Sequence, residues 1–358
     1  MPKHFAFASR LAIAAVFVLA VKSLGASGGA WSSTADMQTI SGGNSAVRLQ
    51  DGRVLVVSST CWNCPSIAEV YDPGSGTWTR QADLQRTRFF HTMTLLVDGR
   101  VLVAGGEPIE PRNSSEIFDP STGVWTSTGN LNVSRQYAQA VLLPDGQVLV
   151  AGGSSFSGGL RDAEIYNLDT GAWTVTGSMT VGRWGFGLTT LQNGMVLAAG
   201  GVPYIDSSEL FDASTGAWRQ VGNMSQWSSS ALQLLLDGRV LVVHSHTADL
   251  YDPNTESWRR TGAPRGDHVY TVLSDGRVLG SGSYNGPVSS EIFDPATETW
   301  QETAPMQMYR EFHSATLLND GSVLVAGGGN EGPPCDPEGG CTFYALKSAE
   351  IFTPDVDR

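Results

Sequence analysis

An Asp-Gly step occurs at Asp51, Asp98, Asp145, Asp237, Asp275 and Asp320, and Asn193-Gly194 stands in the same relation to its neighbours. Downstream of each comes a small residue, an acid, an aliphatic residue and an aromatic. The acid is Glu69, Glu116, Glu164, Glu209, Glu291 or Glu350, and Asp249 in one unit. A tryptophan then closes the unit at Trp78, Trp125, Trp173, Trp218, Trp258 and Trp300. Self-similarity at a period of roughly 45 residues leaves few folds open. Each unit is one small motif that cannot bury both of its faces, so units must stack on copies of themselves.

The unit ending at Trp125 shows what the motif is. His91 to Gly106, HTMTLLVDGRVLVAGG, reads as a hairpin: two β-rich apolar runs flank Asp98-Gly99, which accepts φ > 0 and suits a type I′ turn. Gly105-Gly106 ends the second strand where crowding near an axis excludes side chains. Ser115 to Phe118 is a third strand, Asp119-Pro120 with Gly123 a turn, and Val124 to Thr126 an outer strand. Four antiparallel strands in succession make one propeller blade. The expected fold is therefore all-β, a seven-bladed β-propeller. The recurrent tryptophans are expected between blades, each ring burying about 150–250 Å². The recurrent acid is read as a structural partner for the arginine before each hairpin, at Arg88, Arg135, Arg183 and Arg310. Gly28 to Met37, GGAWSSTADM, resembles the end of a unit, while the last unit, Phe312 to Phe352, lacks its own tryptophan. The N-terminal strand carrying Trp31 should complete the final blade and leave no open sheet edge.

Only 16% of residues are charged and 42 are glycine, as a turn-rich β domain requires. A net charge of −13 argues against nucleic acid or an anionic membrane as partner. Lys3 and Arg10 precede the apolar run Leu11 to Val21, and small residues follow at Gly25, Ala26 and Ser27. This reads as a signal peptide over 1–26, with the propeller over 27–358. A membrane span needs about 20 apolar residues, so only the signal segment is expected to meet a membrane. The mature chain is expected to be a secreted monomer, extracellular or periplasmic. Cys61 and Cys64 lie in one loop and Cys335 and Cys341 in another. Export favours two local disulfides. The alternative is a four-cysteine metal site, since the first and last blades become neighbours when the ring closes.

Unit lengths vary in the 2–3 and 4–1 loops, which share one face; that face is the expected functional surface. It carries His91, His244, His246, His268 and His313, which could bind copper or zinc. His244 and His246 break the repeat, replacing part of the usual Ala-Gly-Gly in a blade whose 2–3 loop is almost absent. The candidate ligand-binding residues are Arg88, His91, Arg135, Tyr137, Arg183, Trp184, Trp227 and Arg310, where aromatic stacking and guanidinium hydrogen bonds suit a sugar or an acidic ligand. No nucleophile elbow, phosphate loop or Ser-His-Asp pattern occurs, so no catalytic residue is assigned.

The Asp-Gly and Ala-Glu-Ile-Phe elements resemble kelch repeats. Tyr309 to Pro354 and Arg135 to Tyr166 further resemble the propeller of galactose oxidase and glyoxal oxidase. The resemblance implies one copper, held by a tyrosine cross-linked to a cysteine, a second tyrosine followed by a histidine, and a histidine from a C-terminal domain. Tyr137 matches the cross-linked tyrosine and His313 the histidine of the pair, so these two are the candidate metal ligands. Phe312 replaces the second tyrosine, Phe90 stands at the cysteine position, and the chain ends at Arg358 where the further domain would begin. The resemblance thus implies the fold but an incomplete radical site, and no resident cofactor is expected. The leading expectation is a protein- or carbohydrate-binding module. The alternatives are a degenerate or truncated copper oxidase and a kelch-type sugar epimerase.

Overall fold

The computed structural model describes residues 28–40, 44–59, 64, 66–107, 113–155, 158–228, 232–244, 247–266, 269–282, 290–331 and 343–355. Residues 1–27, which hold the expected signal peptide, and Cys61, His246, His268, Cys335 and Cys341 lie outside the described residues. Cys64 is disulfide-bonded.

Every regular element among the described residues is a strand, and seven four-stranded antiparallel sheets account for nearly all of them. Blade two contains Thr92–Leu95, Val101–Ala104, Ser115–Asp119 and Val124–Thr128, in that order from the axis outward. Its first turn is set by Asp98, whose carboxylate accepts the Arg100 N–H at 3.0 Å, with Gly99 at φ +88°. The second strand of every blade is buried throughout, because it is sandwiched on both faces. The innermost strands neighbour one another around the axis and return from blade seven to blade one.

The closing strand lies where the sequence requires it. In blade seven the order from the axis is Ser314–Leu317, Val323–Ala326, Ala349–Pro354 and then Gly29–Ser33, with Trp31 opposite Phe352. Trp31 and Phe352 have ring centroids 5.1 Å apart, and the other six blades repeat this tilted pair at 5.0 or 5.1 Å. Several of the indole N–H groups cross to the preceding blade. Trp218 donates to the Gly177 carbonyl at 3.0 Å and Trp258 to the Ser208 hydroxyl at 2.9 Å. These rings tie neighbours together, as expected of inter-blade core.

The Asp-Gly turns and the turns before the tryptophans occupy one face. Asp51, Gly99, Asp119 and Pro120 line a single groove there, and Asp237, Gly276, Asp294 and Pro295 line another. The 2–3 and 4–1 loops form the opposite face, where the candidate site lies.

Candidate functional site

Four of the loops entering a blade on this face are each anchored by one buried ion pair. Arg88, Arg135, Arg183 and Arg310 place a guanidinium nitrogen 2.8 Å from Glu116, Glu164, Glu209 and Glu350 respectively. The same guanidinium donates to a strand-end glycine carbonyl, at Gly105, Gly152, Gly200 and Gly327, at 2.7–2.9 Å. The glutamate's other oxygen accepts a backbone N–H of the loop, as from Gln85 to Glu116 at 2.7 Å. Burial pulls the guanidiniums of Arg135, Arg183 and Arg310 below their ordinary range, while the paired carboxylates oppose that shift. All four arginines are inaccessible to a ligand. This corrects their assignment as ligand-binding residues and establishes the structural pairing with the repeated acid.

Two histidine assignments are corrected in the same way. Both ring nitrogens of His91 are buried and make no hydrogen bond of good geometry, and burial with the nearby Arg88 charge, opposed by a weak contact to the Arg88 backbone, lowers its pKa to about 3. His91 is a neutral, half-buried residue whose ring nitrogens are shielded from a ligand. His313 is buried, with Nε2 3.0 Å from the Ser281 hydroxyl of blade six. His244, flagged for breaking the repeat, is buried with Nε2 3.0 Å from Asp249.

Two residues after the anchoring arginine, three of these four loops place an aromatic on this face. Phe90, Tyr137 and Phe312 adopt φ of +55°, +54° and +53°, and blade four has Gly185 at +56°. For bulky side chains this region costs about 1–3 kcal/mol each and is typical of ligand clamps. It turns the rings outward: Phe90 is 50% exposed and Phe312 61%. Adjacent loops are laced together, with the Tyr137 N–H donating to the Phe90 carbonyl at 3.0 Å and the Gly185 N–H to the Tyr137 carbonyl at 3.2 Å. The Phe90 and Tyr137 rings stack at 3.9 Å and 19°, and Trp184 leans on Tyr137 at 5.2 Å and 51°. Partial burial raises the Tyr137 pKa, so its phenol stays a neutral donor. Of the sequence-derived candidates, the structure thus brings together Tyr137 and Trp184, with Phe90 between blades. Trp227 is 44% exposed farther along the same face, against Tyr204. Tyr204 was not singled out by the sequence analysis; the available signal was an aromatic following Pro203 in a loop of variable length.

The kelch motif model matches residues 138–180, the span of blade three. The fold is a kelch-type propeller. As a kelch propeller it is similar to a fungal alcohol oxidase of the AA5 family solved in complex with copper. The identity is 20% and the TM-score 0.73, over 91% of this chain and 76% of that one. No curated protein matches the chain. At that identity the likeness establishes the fold, including the resemblance to the galactose oxidase propeller, and not the reaction.

The residues present do not fit a copper of that kind. Phe90 and Phe312 offer no donor atom, and Phe90 fills the space beside Tyr137 with a stacked ring. His313 directs Nε2 to Ser281. No cluster of three or more His, Cys, Asp or Glu suited to a metal occurs among the described residues. Among the described residues the candidate pair Tyr137 and His313 therefore lacks the donors that would complete a site.

Proposed function

We infer that this kelch propeller is an exported carbohydrate-binding module whose primary platform is the Phe90–Tyr137–Trp184 stack. The observation that carries this reading is the stacking of the Phe90 and Tyr137 rings, both on left-handed backbone, with Phe90 exposed. A pyranose ring offers an apolar C–H face to such rings and hydroxyls to the Tyr137 phenol and the loop backbone. Laced loops present the platform preorganised, so little ordering entropy opposes binding. A protein partner would use the same rings but gains nothing particular from their stacking. An epimerase acting on acidic sugars needs accessible cations, and the four repeat arginines are buried in ion pairs.

A glycan array with the full mature chain tests the reading. The wild type is expected to bind a restricted set of glycans, and Tyr137→Ala to reduce that binding at least tenfold. Retention of the full signal by Tyr137→Ala would sink the assignment of the platform. Stoichiometric copper in purified protein, with peroxide release on galactose or glyoxal, would favour the oxidase alternative instead.

A further inference from the structure

The aromatic surface does not stop at Trp184. The Val202 N–H donates to the Trp184 carbonyl at 2.9 Å, which pins the 2–3 loop of blade four beside the primary platform. That loop is tied by the Ile205 N–H to the Gly201 carbonyl at 3.0 Å, and Ile205 is buried. Tyr204, at φ +52°, is pushed outward and is 76% exposed. The next loop, entering blade five, is stapled to it at two points. Met224 N–H donates to the Asp206 carbonyl at 2.9 Å, and Gly201 N–H to the Ser228 carbonyl at 2.6 Å. Between those staples stands Trp227, whose ring meets Tyr204 edge to face at 5.1 Å and 87°. Two exposed aromatics at right angles are thus fixed by the backbones of two blades. Neither belongs to the inter-blade tryptophan set, so packing does not account for them.

We propose that Tyr204 and Trp227 form a second sugar-stacking subsite, and that the ligand is a linear, uncharged oligosaccharide running across blades two to five. The proposal rests on the carbohydrate reading of the primary platform. Phe90, Tyr137 and Trp184 form one contiguous ring cluster and Tyr204 and Trp227 a second, on four consecutive blades, and the Val202–Trp184 backbone hydrogen bond joins the loops that carry them. A perpendicular pair takes the C–H face of one pyranose against the indole and its edge against the phenol. Asp206, exposed two residues beyond Tyr204, supplies an acceptor for sugar hydroxyls. The ligand is uncharged because the repeat arginines are buried and the chain carries −13, which repels acidic polysaccharides. It is a chain because the rim is low beside Trp227. Strands Val240–His244 and Thr247–Asp252 are separated by two residues alone, so blade five raises no long loop where the ligand would leave.

Calorimetric titration of the full mature chain tests this with cellopentaose, xylopentaose, mannopentaose and laminaripentaose, their monosaccharides, and oligogalacturonate as the charged control. Two linked subsites should make one neutral pentamer bind at least about 100-fold tighter than its monosaccharide. Trp227→Ala should weaken the pentamer about tenfold and keep the wild-type melting temperature, and Trp227→Phe should recover most of the loss. The proposal is overturned, with the carbohydrate reading intact, if Trp227→Ala leaves pentamer binding unchanged while Tyr137→Ala abolishes it. Tighter binding of oligogalacturonate than of every neutral chain overturns the uncharged ligand. Absence of binding to any sugar overturns the carbohydrate reading and this subsite together.

Discussion

His91 is the residue whose environment makes the sharpest claim. In the folded chain it takes up a proton only near pH 3, whereas an unfolded chain protonates it near 6.5. Below pH 6.5 the unfolded state therefore binds the extra proton. Stability should fall with pH by about 1.4 kcal/mol per unit, level off near pH 3, and show no contribution from this group above 6.5. His91→Phe keeps the packing volume and removes the titration. Denaturant melts at pH 7, 5 and 4 should show the variant losing about one proton of slope on the acid limb. An unchanged slope would mean that the ring nitrogens find partners in solution. Tyr137 makes the opposite case: a single residue, strained and outward-facing, whose importance comes from the rings on either side of it.

At the scale of the blade, the ion pair is an element with interchangeable parts. Blade five has Ser228 at the place of the arginine, His244 at the place of the strand-end glycine, and Asp249 for the glutamate. The acid's partner now comes from the second strand instead of the entering loop, with the His244 Nε2 3.0 Å from the shorter acid. Burial pushes Asp249 up, but hydrogen bonds from His244 and Ser225 outweigh it and hold the carboxyl below its usual range. His244→Gly alone should leave the buried Asp249 without that hydrogen-bond partner and cost about 1–3 kcal/mol. Adding Ser228→Arg and Asp249→Glu rebuilds the pair of the other blades and should bring stability back to within about 1 kcal/mol, read from urea midpoints. A triple variant no better than the single one would show that the blade's shape, and not its charge balance, demands His244. On the outside of the same blades, Glu256 and Glu298 sit at φ +52° and +55°, where blades one to four have glycine, and pair with Arg219 and Arg259 of the preceding blade. Exposed pairs of this kind contribute at most about 1 kcal/mol, so they trim the fold rather than hold it.

For the whole molecule, the decisive contact joins the two ends of the propeller. Gly29–Ser33 pairs along Glu350 to Pro354, and Trp31 covers Phe352. Removing residues 27–34 should uncover a sheet edge and a large apolar ring at once. The truncated chain is expected to aggregate and to lose its cooperative melt, by calorimetry and size-exclusion chromatography. A soluble truncated chain with a single sharp transition would show that the inner strands alone keep the ring shut.

The repeat itself determined the blades, their number, the closing strand and the buried arginine–glutamate pairing. These depend on local period and composition, which one blade shows as well as seven. The roles of residues at the mouth depended on direction, which period does not encode. Arg88 and Trp227 come from equivalent loops, yet one points into a carboxylate and the other to solvent. Whether a side chain becomes an anchor or a platform is set by its backbone dihedral and by which loop of the next blade it meets. Tyr204, and the exchange of Ser228, His244 and Asp249, were visible as departures from the pattern. Only the fold showed that they belong together, because the residues involved touch across a turn or across a blade boundary.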